Sequence, residues 1–181
     1  MDADGSNPVP LTDETFAYSP QCSPDGKWVV YHQGASMSIL QVPVSGEKPP
    51  QEVTQDSIYS SLQLSPDGKL IAYLALPSAN FKPIQIKVIP FGGGTPIYQF
   101  DWPAGAGGPH WAPDGKAVEF VWTREGVSNI WQQKLTGGPP KQITNFKSEL
   151  IFAFDWSRDG KQLAVARGSQ SSNVIKISNF R

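Results

Sequence analysis

The chain has 181 residues, with fifteen Lys and Arg against sixteen Asp and Glu and a formal net charge of −1. That balance excludes the clustered positive charge on which nucleic-acid binding or polybasic membrane docking depends. The longest apolar run, Leu70 to Leu76, falls far short of the roughly 20 residues a spanning helix needs, and one cysteine, Cys22, allows no internal disulfide or Cys-rich metal site.

Seventeen glycines and seventeen prolines, spread evenly, point to many short strands joined by turns. Taken in chain order, a strand-like run ends at Cys22 and is followed by Ser23-Pro24-Asp25-Gly26-Lys27. Apolar or strand-like runs Trp28–Tyr31, Met37–Val44 and Gln51–Thr54 come next. The pattern then restarts. A run ends at Leu64, the turn is Ser65-Pro66-Asp67-Gly68-Lys69, and Leu70–Leu76, Ile84–Phe91 and Pro96–Phe100 follow. The third copy has Trp111, Ala112-Pro113-Asp114-Gly115-Lys116, Ala117–Trp122, Asn129–Leu135 and Lys141–Thr144. The fourth has Trp156, Ser157-Arg158-Asp159-Gly160-Lys161, Gln162–Ala166 and Val174–Phe180. Successive turn aspartates are 42, 47 and 45 positions apart.

Such a repeat holds about four strands in up-and-down order, the unit of a β-propeller blade. Proline presets φ at the second turn position, Asp suits the third, and Gly takes the left-handed fourth. A calcium role for these aspartates is disfavoured, since each turn offers one carboxylate where calcium takes six to eight oxygens.

The string Ser-Pro-Asp-Gly-Lys, with Asn129-Ile130-Trp131 and Lys141-Gln142-Ile143-Thr144, resembles the TolB-type (PD40, WD40-like) bacterial propeller repeat over nearly the whole chain. The ending 174–181 resembles the C-terminal propeller module of bacterial serine/threonine kinases or winged-helix regulators. The resemblance implies an all-β propeller, and its relatives favour an extracytoplasmic or periplasmic compartment.

The expected architecture is one domain with blades at 14–55, 56–101, 102–145 and 146–181. The fourth blade lacks an outer strand, and Pro8-Val9-Pro10-Leu11-Thr12 resembles the outer strands at 51–54 and 141–144. Pairing of 8–12 with 174–180 would close a four-bladed ring and remove an exposed strand edge. The alternative is half of an eight-bladed dimer. Ser19, Ser61, Gly108 and Ala153, small residues four before each turn, favour the closed monomer, with a homodimer as the second reading. The chain as given starts without a secretory leader and is expected to be soluble, either mature or excised from a longer parent.

No catalytic signature is present: no Gly-x-Ser-x-Gly, no His-Glu-x-x-His and no phosphate loop. No cofactor and no metal are expected. Two positions before each turn stand Gln21, Gln63, His110 and Asp155, one polar residue per innermost strand. They are expected near the axis, either as a water-filled channel lining or as a small polar or cation site using His110 and Asp155. On the loop face, Tyr59, Phe81 and Trp102 are candidate binding anchors. The expected function is a noncatalytic module for protein interaction or ligand sensing, with an unidentified protein partner, no nucleic acid and no membrane insertion. Alternatives are a polysaccharide lyase or hydrolase with an axial metal, or a structural fragment of a larger propeller without activity of its own.

Overall fold

A computed structural model describes residues 4–13, 16–34, 36–54, 56–76 and 84–172, apart from the Ser60 side chain. Every regular element among them is a β-strand. The first sheet contains β1 (Ala17–Cys22), β2 (Trp28–Gln33), β3 (Ser38–Pro43) and β4 (Gln51–Thr54), in that order and all antiparallel. The second repeats this with β5 (Ile58–Leu64), β6 (Leu70–Ala75), β7 (Gln85–Pro90) and β8 (Tyr98–Asp101). The third has β9 (His110–Trp111), β10 (Ala117–Arg124), β11 (Val127–Lys134) and β12 (Lys141–Gln142). In the fourth sheet β13 (Leu150–Trp156) pairs with β14 (Leu163–Gly168). The run 174–180 lies outside the described residues.

The sheets stack face to face because inner strands such as β6 are apolar on both sides, so alternate residues serve different neighbours. Val30, Ile39 and Val53 of the first sheet meet Ile58, Leu62, Ile71, Tyr73 and Ile89 of the second. Ala72, Leu74, Ile86 and Val88, on the opposite side of the second, meet Trp111, Val118, Phe120 and Leu135. Ile130 then meets Ile151 and Phe154. Phase alternation within one strand, Ile71 one way and Ala72 the other, produces a row of sheets rather than a two-layer sandwich.

The four repeated turns have the expected geometry. Gly26, Gly68, Gly115 and Gly160 have φ of 70°, 71°, 67° and 67°, and each donates its N–H to the carbonyl three residues earlier. In the first turn the Asp25 carboxylate accepts from Ser23 Oγ at 2.5 Å and from the Lys27 N–H at 3.1 Å. Ser23 Oγ in turn accepts from the Trp28 N–H at 3.0 Å. The same three bonds recur around Ser65 and Ser157. The serine hydroxyls, followed by the lysine N–H groups, hold the carboxyls of Asp25, Asp67 and Asp159 below the usual carboxylate range. These aspartates brace turns.

The turns also join the sheets. A Cβ at Gly68 would stand 2.7 Å from Pro24, one at Gly160 would stand 2.7 Å from Pro113, and one at Gly115 would stand 3.9 Å from Pro66. Each proline thus lies in the notch of the next turn. Nothing lies within 4 Å of a Cβ at Gly26, and the fourth copy carries Arg158 instead of proline. Cys22 is exposed, whereas its counterparts Leu64, Trp111 and Trp156 pack against the preceding sheet.

Among the described residues no sheet combines strands from the two ends, and β13–β14 does not pack on β1–β2 as β1 packs on β5. Residues 8–13 form no strand; Leu11 instead packs on Tyr31, Leu40 and Val42, the outer face of the first sheet.

Ala112 is 2 % exposed and is the one turn position without the bracing hydroxyl. Ala112→Ser is therefore expected to raise unfolding free energy by about 0.5–1 kcal/mol, and Ser65→Ala to lower it by about 1 kcal/mol. Urea unfolding followed by tryptophan fluorescence measures both. Equal and small effects of either sign would remove the turn from the list of main stabilisers.

Candidate functional site: an axial cleft

The innermost strands carry the sequence-predicted residues, and the structure separates them. Gln21 is a structural clamp. Its Nε2 donates to the Leu62 carbonyl at 3.0 Å and its Oε1 accepts from the Leu64 N–H at 2.8 Å, so both ends of the amide are spent on β5. It leaves the list of free axial groups for that reason.

Gln63, His110 and Asp155 line one cleft of about 310 Å³ together with Trp111, Phe154, Trp156 and Arg158. It lies on the turn side of β5, β9 and β13, and the turn residues Pro66, Pro113, Asp159 and Gly160 complete its wall. His110 and Phe154 also border a second cleft of about 350 Å³, which includes Gly107, Gly108, Thr123 and Phe152. The His110 ring lies 4.5 Å from that of Phe154. The small residues four before each turn approach one another as expected at Gly108, where a Cβ would stand 2.5 Å from Ser61 Oγ.

Sequence reading missed Glu119. It is the Cα partner of His110 across the β9–β10 ladder and is 1 % exposed. Its Oε2 accepts from Trp156 Nε1 at 2.7 Å and its Oε1 from Gln132 Nε2 at 2.9 Å. The signal was available in the repeat: five residues after the turn aspartate stand Val30, Ala72, Glu119 and Ala164. A carboxylate stands where the other copies are aliphatic.

Burial holds the His110 imidazole below its ordinary value of 6.5, while the charges of Asp155 and Glu119 pull it back up. Burial lowers His32 as well. Among the described residues no three His, Cys, Asp or Glu side chains gather closely enough to hold a metal ion. Cation binding by His110 and Asp155 as metal ligands therefore lacks a third donor there.

On the loop face, Trp102 is not an available anchor. It is 6 % exposed, donates Nε1 to the Gly107 carbonyl at 3.0 Å, and packs its ring 4.6 Å from Phe120. Its loop position concealed a core role, because the segment folds back over the edge of the second and third sheets. Tyr59 is 56 % exposed and stays accessible. Phe81 lies outside the described residues.

Two outcomes follow for stability. Gln21→Ala removes two bonds between sheets and should cost about 1–2 kcal/mol in urea unfolding. A histidine held low when folded adds stability that is complete above pH 6.5 and is lost as pH falls through its folded value. Stability should thus decline below pH 6.5 by at most about 1.4 kcal/mol per pH unit for each histidine. His110→Gln should flatten that slope, leaving the His32 share; an unchanged slope would place His110 in solvent.

Comparison with known proteins agrees with the β-sheet repeat. All of residues 1–181 match the family model described as the TolB beta propeller domain, PD40. TolB from Acinetobacter baumannii superposes with a TM-score of 0.70 at 23 % identity, covering 95 % of this chain and 43 % of that one. A puromycin-hydrolyzing peptidase from Mycobacterium tuberculosis gives 0.66 at 20 % identity, covering 93 % and 31 %. An oligogalacturonate lyase in complex with manganese gives 0.67 at 16 % identity, covering 90 % and 50 %. A 64-residue stretch is 33 % identical to Tricorn protease homolog 1 of Streptomyces coelicolor, 35 % of this chain and 6 % of that protein. The chain spans half or less of each of these relatives, and the structural likenesses speak for fold alone. With the Pro-Asp-Gly turns, the interlocked sheets and a match along its full length, this chain belongs to the TolB beta-propeller family.

Proposed function

We propose that the chain is a noncatalytic interaction module that grips a segment of a protein partner in the cleft between β5, β9 and β13. The observation that carries this reading is the cleft itself. It is formed by innermost strands of three sheets, has aromatic walls from Trp111, Phe154 and Trp156, and has a few convergent polar groups at His110, Asp155 and Gln63. Aromatic walls with polar groups placed among them suit a peptide side chain and its backbone.

The same proposal treats the sheets as an arc of four blades whose ends meet another blade rather than each other. The open notch at Gly26 and the exposed Cys22 support an arc over the closed four-bladed ring. A second copy is the simplest supplier of that blade, which keeps the half-propeller dimer as its assembly. The lyase and peptidase relatives keep an enzymatic reading in view. Its version with an axial metal is short of donors among the described residues.

A photo-crosslinking residue placed at Arg158, on the cleft rim, tests the module reading against one at Ile143 on the outer edge. In bacterial envelope extract, position 158 should yield a protein adduct that Asp155→Arg abolishes, while position 143 yields none. Equal adducts at both positions, or peptide or glycan turnover that disappears with His110→Ala, would overturn it.

A further inference from the structure

Glu119 is a buried carboxyl group with no lysine or arginine partner among the described residues. Both its oxygens accept hydrogen bonds, and both donors are neutral. Neutral donors orient a carboxylate without cancelling its charge, and burial makes an uncancelled charge costly.

The cleft lined by its donor Trp156 and its ladder partner His110 adds to the imbalance. Asp155 stands on the wall with no ion pair among the described residues, while Asp159 has Lys161 at 4.0 Å. Arg158, on the exposed rim, is the one lysine or arginine of the lining. Asp155 on the lining and Glu119 behind it, bonded to the lining residue Trp156, outnumber it. The cleft walls include Trp111, Phe154 and Trp156, and aromatic rings attract cations within about 6 Å of their faces.

We propose that the cleft selects a cationic side chain, guanidinium or ammonium, with Glu119 as the buried counter-charge and His110 as the base that competes for it. The inference rests on the reading of the cleft as a binding site and names what that site prefers. Three features combine: a cavity of side-chain size, aromatic walls, and a carboxylate introduced at a repeat position that is otherwise Val or Ala.

The sign of the pH effect follows. The charges acting on His110 are Glu119 from β10 and Asp155 from β13, with Arg158 and Asp159 on the turn after β13 lining the same cleft. When His110 is neutral, Glu119 and Asp155 attract the incoming cation in full. As pH falls, a proton on His110 satisfies them and the ligand's cation is repelled. Cation affinity should fall on acidification, and a bound cation should lower the His110 titration point.

With only two histidines, His32 and His110, imidazole NMR reads this directly, and His32 on β2 is the internal reference. The probe is N-acetylargininamide, with N-acetylglutaminamide as neutral control and N-acetylglutamate amide as acidic control. The arginine probe is expected to give saturable shifts at His110 and bind about tenfold tighter than the neutral one, the factor that corresponds to about 1.4 kcal/mol. Glu119→Gln should remove most of that preference while His32 stays unmoved. If Glu119→Gln fails to fold, Asp155→Asn, on an exposed side chain, carries the same expectation for its share.

The proposal is overturned by equal binding of the three probes, by affinity that rises on acidification, or by no saturable shift with the arginine probe. Rim crosslinking at position 158 does not depend on ligand charge. An adduct there without arginine binding removes the cation preference and leaves the cleft reading intact; absence of both removes both.

Discussion

A glycine that closes a hairpin at positive φ also leaves a gap where a Cβ would stand, and in this chain the proline of the preceding turn occupies that gap. Pro24 fills the notch at Gly68 and Pro113 the notch at Gly160, each within 2.7 Å of the missing carbon. The two residues that make the turn are thus also the two that join neighbouring turns. An alanine at such a position would be strained by its φ and blocked by a ring, so the constraint is double. Because the notch and its filler lie at one end of each inner hairpin, successive sheets are held at a fixed offset there. Their inner strands are then brought side by side along a common axis.

Given that arrangement, inner-strand residues of the same register face one another, and each junction solves its polar accounting differently. Between the first and second sheets the Gln21 amide satisfies two backbone groups of β5. Between the second and third, Trp111 Nε1 donates to the Gln63 carbonyl at 3.1 Å. Between the third and fourth, Trp156 donates to the Glu119 side chain. The first two bonds end on backbone and are neutral. The third ends on an ionisable group that has no ion pair among the described residues, which makes that bond sensitive to charge nearby.

Turns and strands were legible in the sequence because local chemistry decides them: Pro, Asp and Gly each have one comfortable place in a type I turn. The inner strands end at Cys22, Leu64, Trp111 and Trp156 as the pattern requires. What pattern alone did not carry was partnership. Gln21 and Gln63 share a register, yet one is consumed by β5 and the other lines a cleft, a difference set by the neighbouring backbone. Trp102 looked like a loop aromatic because its flanks are Pro and Gly, but only the folded chain shows Phe120 beneath it. Residues 8–12 resembled an outer strand in composition, while the packing of Leu11 on Tyr31, Leu40 and Val42 is a tertiary fact. Glu119 was readable in principle, by asking which copy breaks register rather than which residues repeat.

That question also bears on the proposed site. In a repeat whose consensus is dictated by packing, each position has a structural reason to be what it is, so a departure loses something unless another demand is met. Arg158 forgoes the proline that stiffens its turn, Glu119 forgoes an aliphatic contact between sheets, and His110 stands where the two preceding copies have glutamine. These are separate positions on a strand end, a strand centre and a turn. In the folded chain Arg158 and His110 line the same cleft, and Glu119 lies directly across the ladder from His110 with Trp156 as its donor. Independent losses of packing would be scattered over the sheets. Two of the three departures lie on one cleft wall and the third on the strand behind it, which supports the binding role proposed for that cleft.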